Sequence, residues 1–333
     1  MRPTYGVKSV RNSLIKFAAF LMVSAGALQA SVTLLLEEPF GNFGGLTPTG
    51  HASIYLSRVC AASPVSLRRC HEGEQGVVIS RYHRVAGYDW IAIPVVPYLY
   101  AVDRPDEVPS SVSPAEVAEL RNRYRRTNLE DVAPDAEDGL APSGDWIQLV
   151  GAAYDRTIYA FGIQTTEQQD DQLIQRFNSG PNQRHFNILF HNCADFARQA
   201  VDFFYPHAIH RSFLLDAGIM TPKQAAKCLV SYSKHHQALQ FSSFVIPQVA
   251  GSLPRSTAVR GVLESLVKSK KYAVPLVSVA VLHPYFGGSL ALAWVDGSHF
   301  DPRKIAQQAS SRSEPAAIAV ELQFNGVGSG PGQ

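Results

Sequence analysis

Apolar side chains alternate or cluster in short β-compatible stretches up to about residue 102, and from residue 113 they recur mainly at helical spacing. Strands are predicted over 31–36, 51–59, 76–82 and 89–102. Pro94 and Pro97 argue that the fourth strand lies at an edge or is bulged, because proline donates nothing to a ladder. If the second and third strands form an antiparallel hairpin, His51 at the start of one lies near residues 80–83 at the end of the other. Ser113-Pro114-Ala115-Glu116 is a capping box with proline at the first helical position, opening a helix to about Asn128 with Val117, Leu120 and Tyr124 on one stripe. Its Arg121, Arg123, Arg125 and Arg126 read as a solvated face. An acidic, Pro- and Gly-containing loop or insertion follows over 129–145, then a weakly alternating stretch over 146–161. Thr166 caps a helix that runs to Phe177.

The pattern then changes within a few residues. Phe186-Asn187-Ile188-Leu189-Phe190 predicts a short strand, and Phe196, Ala197, Ala200, Val201 and Phe204 follow at helical spacing until Pro206. Cys193 shares the buried face of that helix and falls in its first turn. There the macrodipole and the unpaired backbone N–H groups stabilise a thiolate, so a lowered thiol pKa is expected, and the same groups can hold an oxyanion. A cysteine nucleophile needs a base. His51, opening a β-like run just after Gly50, is the candidate. The group that orients its imidazole is expected from 80–83, with His83 the first choice and Ser80 the alternative. Asn192, Tyr55 and Ser80 are the candidate oxyanion or cleft residues. The plain alternatives are a buried structural cysteine and a histidine satisfied at a strand end.

Gly50-His51-Ala52-Ser53-Ile54-Tyr55-Leu56, followed much later by Asn192-Cys193-Ala194-Asp195-Phe196, resembles the circularly permuted branch of the NlpC-type papain-like superfamily. In that branch a His-bearing strand precedes a Cys-bearing helix, an order shared by lecithin:retinol acyltransferase-like proteins. The upstream Leu34-Leu35-Leu36, the Gly/Pro loop and Gly-His are also similar to the N-terminal periplasmic domain of Lnb-type lipoprotein N-acyltransferases. The resemblance implies an α+β fold, an antiparallel sheet packed against helices, and thioester chemistry of a peptidase, amidase or acyltransferase. It fixes no substrate.

Past Pro206 the resemblance ends. Helices are expected from Thr221-Pro222, carrying Cys228, and over 256–269. Residues 274–295 hold no charged side chain, but Pro275, His283-Pro284 and Gly287-Gly288 break the stretch into pieces better suited to strands or a buried hairpin than to a membrane span. Peripheral membrane contact through 274–295 remains an open partner reading. The organisation expected is a signal peptide (1–30), a permuted papain-like domain (31–212), a helical and apolar extension (213–308) and a partly disordered tail (309–333). The first segment has Arg2, Lys8, Arg11 and Lys16 ahead of an apolar core and small-residue exits, the pattern of a secretory leader, which places the protein in the periplasm or cell envelope.

Composition narrows the classes. With 333 residues, 46% hydrophobic and 17% charged, the chain is an ordinary folding sequence, and a net charge of +2 without a basic stripe makes nucleic acid an unexpected partner. In an oxidising compartment Cys60 and Cys70 are expected to form a local disulfide between two strands. That leaves Cys193 free and Cys228 in a helix core, with a Cys193–Cys228 bridge as the competing arrangement. No metal-ligand set or dinucleotide fingerprint is present, and no cofactor is expected. The functional expectation is an exported hydrolase cleaving an amide bond in peptidoglycan or a peptide through Cys193 and His51. The alternatives are a thiol-dependent acyltransferase acting on a lipid or lipoprotein, and a non-catalytic binding or scaffold module of the same fold.

Overall fold

The computed structural model describes residues 31–41, 49–83, 85–142, 144–183, 186–268, 275, 278 and 282–310. In chain order these form β1 (Ser31–Glu37), β2 (His51–Leu56), β3 (Val59–Ser63), β4 (Ser66–Arg69), β5 (Val77–Ser80), β6 (Ile91–Pro94), α1 (Val95–Tyr100), β7 (Ser111–Val112), α2 (Pro114–Asn128) and α3 (Ala152–Asp155). They continue as β8 (Ile158–Gln164), α4 (Glu167–Ser179), α5 (Cys193–Phe204), α6 (Phe213–Asp216), α7 (Pro222–His235), β9 (Ser242–Ile246), β10 (Ala250–Gly251), α8 (Val262–Lys268), α9 (Pro284–His299) and α10 (Pro302–Ser310).

The main sheet has six strands in the order β6-β5-β2-β1-β8-β9, every pair antiparallel, so the fold is α+β. Both faces are covered. Because side chains alternate along a strand, Leu34, Leu36, Ala52, Ile54, Leu56, Val77 and Ile79 meet one helical layer, built from α4, α5, α7 and α10. Leu35, Tyr55, Val78, Ile91 and Ile93 meet the other, built from α1, α2 and α3. In α5 the spacing of Phe196, Ala197, Ala200, Val201 and Phe204 makes one buried stripe. Burying each of its phenylalanines contributes about 1.5–3 kcal/mol.

Several expectations need correction. The predicted second strand breaks after Leu56, and Val59–Ser63 belongs to a separate β3–β4 hairpin. The fourth strand stops at Pro94, at the sheet edge as the prolines argued, and 95–100 turns into α1, whose Pro97 sits in the first turn where no N–H donor is needed. Arg121 and Arg125 are buried and do not lie on a solvated face: Arg121 binds Asp155 and two backbone carbonyls from the turn before β8, and Arg125 binds the Ala133 carbonyl and the exposed Asp135 from the loop after α2. The described part of 274–295 is helical, not extended, with Pro284 at the first helical position. Among the described residues no helix is long and apolar enough to cross a membrane. The boundary expected after residue 212 cuts through one core, because β9 is the sixth strand of the sheet and Cys228, Leu229, Phe300 and Ala306 belong to the same hydrophobic core as the buried stripe of α5. The helix expected over 256–269 is shorter, starting at Val262.

The Cys60–Cys70 disulfide is formed across the β3–β4 hairpin, compatible with an oxidising compartment. Cys193 and Cys228 are both free, which removes the competing bridge. The expected signal peptide and residues 311–333 of the tail lie outside the described residues.

Candidate functional site

Gly50 shapes the entry to β2. It has φ +72°, and a Cβ there would lie 2.1 Å from the Glu37 carbonyl oxygen, so only glycine lets the chain pass this close to the end of β1. The next residue, His51, is thereby laid directly opposite Glu37 in the β1–β2 ladder.

Cys193 is the first residue of α5. Asn192 caps the helix: its side-chain oxygen accepts from Asp195 N at 2.9 Å, and Asp195 reaches back to the Asn192 N–H. The amide nitrogen of Asn192 donates to the Ile188 and Met220 carbonyls at 2.9 and 3.0 Å. All of its capacity is therefore taken by the helix cap and two loops, and as an oxyanion donor the Asn192 side chain is ruled out. Arg81, in a buried ion pair with Asp89, lies over the Phe196 ring and donates to the Asn192 carbonyl, tying the start of α5 to the end of β5.

The thiol and the imidazole come to the same strand end from different sides. α5 packs on β2, and the backbone N–H groups of Ala52, the residue directly after His51, and of Cys193 and Ala194 act on the Cys193 thiol in the lowering direction. His51 shares the parity of Ser53 and Tyr55, facing away from α5. Its Nε2 is 2.8 Å from Ser80 Oγ, and the single hydroxyl hydrogen of Ser80 goes to the Ala52 carbonyl at 3.0 Å. With Ser80 Oγ as the acceptor, Nε2 carries the proton and Nδ1 is the basic nitrogen, the tautomer this hydrogen-bond chain favours. Tyr82 stacks on the imidazole with centroids 4.9 Å apart. Among the described residues the ring's hydrogen bond runs to Ser80 and none joins it to Cys193.

Ser80, not His83, is the orienting neighbour. His83 lies 3.7 Å from Asp145 and edge-on to Phe186, half exposed, because the chain leaves the sheet after Ser80 and carries His83 outward. Tyr55 is also outside the site, its hydroxyl donating to the Gln75 carbonyl at 2.7 Å on the α1–α3 side.

Burial, not the helix terminus, governs the protonation of both groups. The Cys193 thiol is pushed up to about 11 by desolvation, against the lowering effect of the Ala52, Ala194 and Cys193 N–H groups, and Glu37 adds to the rise. This direction is opposite to the lowered thiol expected from its place in the helix. Burial also pulls His51 down to about 4, with Glu37 opposing and Arg156 assisting. At neutral pH the resting pair is thiol and neutral imidazole.

Sequence reasoning missed the groups behind His51. Glu37 is fully buried; its Oε1 accepts from Ser53 Oγ at 2.7 Å and from the Tyr98 hydroxyl, and its Oε2 is 3.2 Å from Arg156 Nη1. A glutamate ending an apolar strand was the available signal. Placing it beside His51 required the register.

The 186–190 segment is a tight turn instead of a strand. Asn187 and His191 bridge across it, and the Asn187 side chain accepts from Leu189 N and Phe190 N. Ile188, Leu189 and Phe190 are left exposed just before Cys193. Arg211 braces this turn by donating to the Leu189, Phe190 and Gly218 carbonyls while it pairs with buried Asp195. The second free cysteine, Cys228 of α7, accepts from Gln224 Nε2 at 3.2 Å and touches the ring of His210 from the segment before α6. Among the described residues, the grouping close enough to hold a metal is Cys60, Cys70 and Glu74, but its sulfurs are joined in the disulfide and Glu74 is bound to Arg68.

Comparison of the chain with protein-family models, with characterised proteins and with solved structures finds no match.

Proposed function

We propose that this protein is an exported, thiol-dependent hydrolase with a permuted papain-like core, acting on an amide bond of a cell-wall peptide or another peptide in the periplasm or cell envelope. The observation that carries the reading is the position of Cys193: a free thiol on the first residue of α5, the helix that packs on the strand opened by His51. As Sγ attacks a carbonyl carbon, its proton passes to Nδ1 of His51, and an acyl thioester forms when the amine leaves with that proton. Water then adds to the thioester, the acid departs and the thiol is restored. The N–H groups of Ala52, Cys193 and Ala194 are the donors available to the oxyanion, an arrangement worth several kcal/mol when preorganised. Because the resting groups are neutral, His51 acts as a general base during attack, without a standing thiolate–imidazolium pair.

A second reading, acyl transfer from a lipid, is favoured by the exposed Ile188, Leu189 and Phe190 immediately before the nucleophile and by Phe213, 81% exposed, on the neighbouring α6. Peripheral membrane contact along the described part of 274–295, where Leu282, Leu292 and Val295 are exposed, belongs with this reading. Both enzymatic readings require Cys193 to react. Incubating the folded protein with iodoacetamide and weighing it intact tests them together: loss of the mass gain in Cys193→Ala supports an accessible nucleophile, and an inert Cys193 leaves the binding-module alternative. Incubation with muropeptides or with diacyl phospholipids, followed by intact mass for a trapped acyl group, separates the hydrolase from the acyltransferase.

A further inference from the structure

His51 faces several polar groups that its hydrogen bond to Ser80 does not use. From β1 comes Glu37, its cross-strand partner; from the chain after β5, Tyr82, stacked on the ring; from α1, Tyr98; and from the chain after α3, Arg156, while Cys193 of α5 approaches the same strand end from the other face of the sheet. Glu37, Tyr82 and Arg156 are each more than nine-tenths buried. Among the described residues four buried side-chain atoms lack a hydrogen-bond partner, and three of them, Glu37 Oε2, Tyr82 Oη and Arg156 Nε, belong to this group. A carboxylate and a guanidinium buried merely to hold β1 against α3 would be expected to fill their bonding capacity, since an unsatisfied buried polar atom costs about 1–3 kcal/mol. Tyr98 and Ser53 instead fix one oxygen of Glu37 and leave the other, 3.2 Å from Arg156, without an aligned donor.

We infer that Glu37 is a positioning residue of the proposed site, held by Ser53, Tyr98 and Arg156 so that its negative charge stabilises the imidazolium formed when His51 takes the Cys193 proton. The inference rests on the proposed roles of Cys193 and His51. The step balances: the S–H bond breaks and an N–H bond forms at Nδ1, with Glu37 paired to Arg156 in the resting state. Glu37 acts on the sulfur in the opposite sense, since its field raises the thiol while it also raises the imidazole. One carboxylate therefore disfavours a free thiolate and favours proton transfer to His51.

That opposition gives a signature no scaffold role would produce. The rate of Cys193 alkylation by iodoacetamide, followed by intact mass from pH 5 to 11 on the full chain, is expected to show a His51-dependent limb below the thiol's own ascent. In Glu37→Gln the lower limb should fall about tenfold, the effect of roughly one pKa unit, while the thiol's own ascent moves to lower pH. Glu37→Asp should restore the lower limb. The charge-balanced pair Glu37→Gln with Arg156→Gln, which leaves no lone buried charge, should still lose the lower limb and covers the case in which the single variant does not fold. A lower limb that survives in these variants, or two limbs that shift together, overturns the assignment of Glu37 alone. A wild-type profile with no His51-dependent limb overturns the proposed dyad itself, and the assignment with it.

Discussion

On one face of β2, Ala52, Ile54 and Leu56 meet the alanines and phenylalanines of α5; on the other, His51 and Ser53 meet Glu37, Ser80, Tyr82, Tyr98 and Arg156. The first contact is close-packed hydrocarbon, in which every atom has a partner. The second buries an ion pair and a histidine and leaves three polar atoms unsatisfied. Apolar packing of the first kind holds Cys193 against the strand end. The polar layer stabilises less than a hydrocarbon filling of the same volume would. In the proposed mechanism this is the layer that surrounds the imidazole.

The comparison is most easily broken through Arg156. Arg156→Met leaves the Glu37 carboxylate buried without its counter-charge and is expected to destabilise the protein by about 3–5 kcal/mol in urea unfolding. On the apolar face Val201→Ala is expected to cost less, about 1–2 kcal/mol, as a cavity without a stranded charge. Equal losses would remove the distinction between the faces.

Acid sharpens it next. His51 binds its proton at about pH 4 when folded but near 6.5 when unfolded, so the unfolded chain takes up protons first as pH falls. Stability should therefore drop between pH 6.5 and 4, by about 3 kcal/mol from this residue alone, and remain flat above that window. His51→Gln should flatten the difference, as read from urea midpoints across that range. An effect of the size of Val201→Ala is expected at the junction of the two regions: Asn192→Ala removes the cap of α5 and two loop contacts, costing about 1–2 kcal/mol, and should slow Cys193 alkylation by loosening the thiol's position.

Much of this was legible in the sequence because it is local. The capping boxes at Ser113 and Thr166, and the proline after Thr221, start helices where the side chains said they would. The alternation in β1, β2 and β5 and the stripe on α5 likewise follow from neighbours in the chain. What failed was decided at a distance. The run 186–190 has strand composition, but Asn187 bonds its own backbone and turns the chain, and no sheet edge is there to receive it. Proline and glycine in 284–288 looked like breaks, yet Pro284 fits the first turn of α9 and the glycines are carried inside it. Choosing Ser80 over His83 needed the point at which β5 ends. The direction of the Cys193 shift needed the surroundings of the thiol, whose desolvation opposes the helix-terminal N–H groups. Glu37 became visible once the ladder placed it across from His51.

The pH dependence of Cys193 alkylation in wild type and in His51→Ala bears on all of these points at once. If His51 accepts the thiol proton, the wild-type rate has a limb well below the thiol's own ascent near pH 11, and His51→Ala retains the ascent alone. Superimposable profiles, or a mass gain that persists in Cys193→Ala, would contradict the pairing of Cys193 with His51 and leave the strand end as a structural junction.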